Sequence, residues 1–157
     1  MPDSDTRFGT DLRLLLDLEH VKSSRDPGHD LAVRRRPETG LVDLDTWSSV
    51  DNLVQALFLR FLTPAGELAI LGHPDYGSRL HELIGELNTE TNRNRAKLYV
   101  LQALAAEPRV QKVLSVKVTQ SKRDRAQMDI DVSLLAINSD TPLNLVFPFF
   151  LEGGVSA

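Results

Sequence analysis

The chain has 157 residues, 41% of them hydrophobic, which is enough for one domain with its own core. A formal net charge of -4 and a pI near 5.5 exclude a general nucleic-acid binder, and the lack of cysteine excludes disulfides and thiolate metal sites. The polar, acidic MPDSDTRFGTD start lacks the order of a secretory signal and no apolar run reaches the ~20 residues of a membrane span, so a soluble protein made in the cytoplasm is expected.

Residues 1–10, being short, polar and terminal, are expected to be loose. Leu12, Leu14, Leu16 and Leu18 alternate with other residues and suggest a strand, or else one helical turn and a half, and Lys22 to Asp30 reads as a loop. Leu31 to Leu44 holds two apolar pieces around Pro37-Glu38-Thr39-Gly40, the pattern of a small hairpin. Arg34-Arg35-Arg36 within it reads as a solvated face rather than a phosphate site, given the acidic total. Ser49 or Asp51 is placed to cap a helix to about Leu62, with Leu53, Leu57 and Phe61 on one stripe and Val54, Phe58 and Leu62 beside it.

Thr63-Pro64-Ala65-Gly66 breaks that helix, and Gly66, Gly72, Pro74 and Gly77 punctuate a compact loop. Ser78 then opens a short helix through Leu80, Leu83, Ile84 and Leu87. Thr89 caps a longer one carrying Ala96, Val100 and Leu104 at i, i+4, i+8. Pro108 ends it, and the period changes to two: Leu114, Val116 and Val118, then Met128 to Ala136, then Leu143, Leu145, Phe147 and Phe149. Pro148 cannot donate to a ladder, so the last run belongs at a sheet edge. The expected fold is α+β, with N-terminal helices packed on a C-terminal antiparallel three-stranded meander. Residues 1–45 are read as an extension, 46–151 as the domain and 152–157 as a tail.

Chemistry is sparse. His73, Asp75 and His81 are close in sequence but match no metal-ligand spacing, so no metal or cofactor is expected. No nucleophile elbow, phosphate-binding loop or dinucleotide fingerprint occurs. Glycoside hydrolysis needs two carboxylates, one with a raised pKa, for which Glu67, Asp75 and Glu107 are available. Glu107-Pro108-Arg109 lies on the corner between the long helix and the first meander strand. It reads either as a boundary with two solvated charges or as a rigid docking element.

Taken together, Asn52-Leu53, Gln55-Ala56-Leu57, Thr63-Pro64, Gly66-Glu67, Pro74, Tyr76-Gly77, Leu80 and Glu107-Pro108-Arg109 resemble a known family. It is the small baseplate-wedge, or sheath-initiator, family of contractile phage tails, type VI secretion baseplates and extracellular contractile injection systems. The resemblance spans roughly residues 52–150 and leaves the N-terminal 45 residues outside it. It implies a structural, non-catalytic protein of the assembled tail-like particle. Glu107, Pro108 and Arg109 would dock on the core bundle of the larger wedge proteins. The strand carrying Leu143, Leu145, Phe147 and Phe149 would pair with sheath subunits, and Gly66, Glu67, Pro74, Tyr76 and Gly77 would form a structural turn. The resemblance further implies a sixfold ring. Hub or tube proteins are the candidate partners of the N-terminal segment. On this basis Arg109→Glu is expected to spare the fold and abolish copurification with wedge proteins. The alternative reading is a peptidoglycan-cleaving, lysozyme-like glycosidase, a label this family has carried.

Overall fold

The three alternating runs near the C-terminus pair in chain order. In the computed structural model, which describes residues 8–15 and 31–152, they are β5 (Val110–Gln120), β6 (Gln127–Ala136) and β7 (Leu143–Phe150). Both junctions are antiparallel, with Val116 opposite Val132 and Val132 opposite Leu145. Met128, Ile130, Val132, Leu134 and Ala136 are all buried, so β6 presents one wholly apolar face. Among the described residues only β6 has a neighbour on each side, which leaves β5 and β7 as the edges of this sheet.

Two helices complete the core. Helix α1 (Ser49–Leu62) buries Leu53, Val54, Leu57, Phe58 and Phe61, and α2 (Glu90–Ala105) buries Ala96, Val100 and Leu104. Both stripes follow the 3.6-residue period read from the sequence. The ring of Phe147 lies 5.3 Å from that of Phe58 and 5.4 Å from that of Phe61, so α1 lies against the apolar side of β7. The Thr89 side chain accepts from the Asn92 N–H, the expected cap of α2.

Several expectations are corrected. Strands, not helices, come first: β1 (Thr10–Leu12) pairs with β4 (Thr46–Ser48), and β2 (Val33–Arg35) with β3 (Val42–Leu44), each antiparallel. The second pair is the expected hairpin. The first contains only Leu12 of the expected Leu12–Leu18 strand: Arg13, Leu14 and Leu15 follow it outside any strand, and Leu16 and Leu18, like the 22–30 loop and the tail from residue 153, lie outside the described residues. The segment at Phe8 is anchored rather than loose, with Phe8 buried in the core and its carbonyl accepting from Asn52 Nδ2 at 2.8 Å.

The N-cap of α1 is Ser48, whose side chain makes no cap bond, so neither Ser49 nor Asp51 holds that position. Leu80–Leu83 forms only a 3-10 turn, and Ile84 and Leu87 are exposed, because the chain leaves the turn extended at Ile84. Leu62, at the last position of α1, is exposed as well. On β5 a register shift between Val113 and Ser115 turns Leu114 outward, while Val116 stays buried.

Candidate docking corner

α1 carries three polar side chains that are buried: Asn52, Gln55 and Arg60. Burying such groups costs free energy unless they are paired, so their partners define what the helix organises. Gln55 Oε1 accepts from the N–H groups of Leu14 and Leu15 at 2.8 and 3.0 Å, and its Nε2 donates to the Leu12 carbonyl at 2.8 Å. Asn52 and Gln55 thereby tie the N-terminal strand segment to α1. The Trp47 indole adds a donation to the Leu15 carbonyl at 2.9 Å.

Arg60 points to the Glu-Pro-Arg corner. Its Nη2 donates to Glu107 Oε2 at 3.1 Å, and both side chains are almost fully buried, at 8% and 3% exposure. The other carboxylate oxygen of Glu107 accepts from Arg109 Nε at 2.6 Å. Arg109 also reaches the Phe8 carbonyl with Nη1 at 3.4 Å and keeps 28% of its side chain exposed. One carboxylate therefore joins the end of α2, the start of β5, helix α1 and, through Arg109, the N-terminal segment. Burial pushes the Glu107 carboxyl up, but the hydrogen bond and charge of Arg109 and the hydrogen bond of Arg60 outweigh it and hold it below its ordinary value.

The loop between α1 and the 3-10 turn at Leu80 closes over this cluster. Ser78 N–H donates to the Thr63 carbonyl, Ala65 N–H to Ser78, and Gly66 N–H to Tyr76, so residues 63–78 double back on themselves. The Tyr76 ring lies 4.6 Å from the Arg60 guanidinium carbon, and burial raises its phenol above the usual value. Gly77 makes the close return possible. It has φ +104°, and a Cβ there would fall 2.6 Å from the carbonyl oxygens of Thr63 and Pro64.

Of the residues singled out from sequence, the structure gathers Glu107, Arg109, Tyr76 and Gly77 into one neighbourhood. Glu67, Pro74 and Asp75 stay on the exposed loop. The reading of Glu107 as a solvated charge is thereby overturned, and so is the harmlessness of Arg109→Glu, which would set a second carboxylate against a buried one. Arg60 is the residue that sequence reasoning missed. Its only local signal is a cation set between Phe58 and Phe61 in the sequence.

At the other candidate site, Leu145, Phe147 and Phe149 turn their side chains into the core and Leu143 is half-buried, so what β7 offers a partner is its backbone edge. A cleft of about 550 Å3 borders this strand, lined in part by Val50 and Val54 of α1, Asp131 of β6 and Leu143, Leu145 and Val146 of β7. Among the described residues no cluster of three His, Asp or Glu side chains could hold a metal, and no helix is long and apolar enough to cross a membrane.

Neither a family model nor a curated protein matches the chain. Among solved structures it is similar to one from Geobacter sulfurreducens described as a "putative tail lysozyme". The two are 25% identical with a TM-score of 0.55, over 64% of this chain and 89% of that one. The chain has a phage-tail-related fold.

Proposed function

We propose that the protein is a structural component of a contractile, tail-like machine that couples the baseplate to the sheath. The Glu107-Pro108-Arg109 corner docks on larger wedge proteins, and the β7 edge pairs with strands of the first sheath ring. The tail context is supported by the fold likeness and by the order of the sequence motifs. The observation that carries a structural role over a catalytic one is the state of Glu107. A general acid needs a raised pKa and access to substrate, whereas this carboxylate is buried, held low and occupied by two guanidiniums.

Docking through the corner uses the exposed part of Arg109, whose planar fork can still meet a carboxylate of the wedge bundle. Strand pairing uses an edge bounded by Pro148, which lies opposite Asp129 and limits pairing at one end. The test is Arg109→Lys, which keeps the charge beside Glu107 and removes the fork. Wedge proteins are expected to be lost from the copurified complex while the melting temperature of the purified chain stays within a few degrees. Full copurification of the variant contradicts the docking role.

The lysozyme description of the similar structure favours a second reading, peptidoglycan cleavage. Glu67 and Asp75 would have to supply the chemistry, since both are exposed and Glu107 is not available. Cleavage of purified cell wall by the wild-type chain, lost in Glu67→Gln, would support it.

A further inference from the structure

The β2–β3 hairpin is amphipathic in an unusual sense, because its apolar side faces solvent. Val33 stands opposite Leu44 and Arg35 opposite Val42, so these four share one face, and Arg34 opposite Asp43 belongs to the other. All six strand residues are exposed, with Val33 at 63%, Val42 at 58% and Leu44 at 41%. An uncovered two-stranded ribbon is marginal in water, and exposing its aliphatic face costs further free energy.

The two faces differ in how their charges are satisfied. On the polar face Arg36 pairs with Asp43 at 2.5 Å, Arg34 reaches Asp45 at 3.6 Å, and Arg13 bonds Asp45 at 3.0 Å, fastening the hairpin to the β1 segment. On the aliphatic face the one cation, Arg35, donates to the Gly40 carbonyl at 2.7 Å, and among the described residues no carboxylate lies within ion-pair distance of it. The face thus combines an aliphatic strip with an unmatched guanidinium at its turn end.

We infer that this face is a docking surface for a different protein, one presenting an aliphatic strip with an Asp or Glu at the end that meets Arg35. A membrane fits less well. The face has no aromatic residue, and the arginines of the opposite face are matched by aspartates instead of being free for anionic headgroups. This inference goes beyond the baseplate reading and does not depend on which machine the chain belongs to.

A photo-crosslinking residue placed at Val42 of the full chain, and separately at Arg34, tests it in the producing cell. The Val42 position is expected to give one adduct to a single aliphatic, acid-containing segment of another protein, and the Arg34 position none. Arg35→Glu should lower that adduct about tenfold, as the loss of one interface charge pair does, and replacing the partner's carboxylate with Arg should restore it. These positions are exposed, so the melting temperature should not change. Adducts to a second copy or within the chain overturn the inference, and so do equal adducts from both faces. Protein adducts absent while the purified chain sediments with phosphatidylglycerol vesicles would overturn it in favour of a lipid surface. An adduct with charge-swap rescue on a partner unrelated to tails would uphold the hairpin surface and count against the baseplate reading alone.

Discussion

Arg60 and Glu107 are 47 residues apart in sequence and 3.1 Å apart in space, and each is buried. Removing one member of a buried pair leaves the other charge uncompensated, at a cost of about 3–5 kcal/mol. Glu107→Ala should therefore destabilise the chain by about that much in urea unfolding, because Arg60 loses the buried carboxylate that compensates its charge. Replacing both, as Arg60→Met with Glu107→Leu, should be milder than Glu107→Ala alone. A double variant less stable than the single would show that the pair contributes more than compensation.

Acid should reveal the same pair. The Glu107 carboxyl titrates below its ordinary 4.5 in the folded chain, so the native state binds fewer protons than the unfolded one. Its contribution is complete above the unfolded value and is lost as pH falls through the lower, folded one. Stability of the wild type should decline below about pH 4.5, and the decline should be shallower in Glu107→Gln. Parallel pH curves for the two would contradict this. Asp45 and Glu82 are held low as well, by Arg13 and Arg79 foremost, and remain as the background common to both proteins.

Gly77 should tolerate no side chain. At φ +104° with two carbonyl oxygens 2.6 Å from a new Cβ, Gly77→Ala should cost on the order of 1–3 kcal/mol or more and expose the 63–78 loop to protease. Gly66→Ala, at φ +82° but with open space around it, should cost less. Equal losses at the two would point to backbone conformation alone.

Much of this fold was legible in the sequence wherever the signal is local. The 2-residue period of β6, the cap at Thr89 and the proline in β7 are each set by near neighbours, and the structure follows them. What stayed hidden depends on distance. Nothing near Arg60 announces that its partner is Glu107, and nothing near Thr10 announces pairing with Ser48. Leu114 faced outward because a bulge shifts register by one residue, a change that alternation alone cannot show. The corner triplet reads from sequence either as two solvated charges on a boundary or as a rigid docking element. Its real character depended on a helix that the spacing of apolar residues had made look purely hydrophobic.

The edge of β7 makes a prediction about exchange. In the isolated chain, amides of Leu143–Phe150 should exchange faster than those of the central strand Gln127–Ala136, which is paired on both sides. In the assembled particle the two should become similarly slow. Unchanged exchange of β7 on assembly would move the pairing site to another edge, with β5 the remaining one of this sheet.

The coupling of baseplate to sheath is tested most directly by deleting this chain in the producing cell and imaging the particles by negative-stain electron microscopy. Baseplates or tubes without sheath, restored by the wild-type chain, are the predicted result. Normal-length sheaths on intact baseplates would contradict the account.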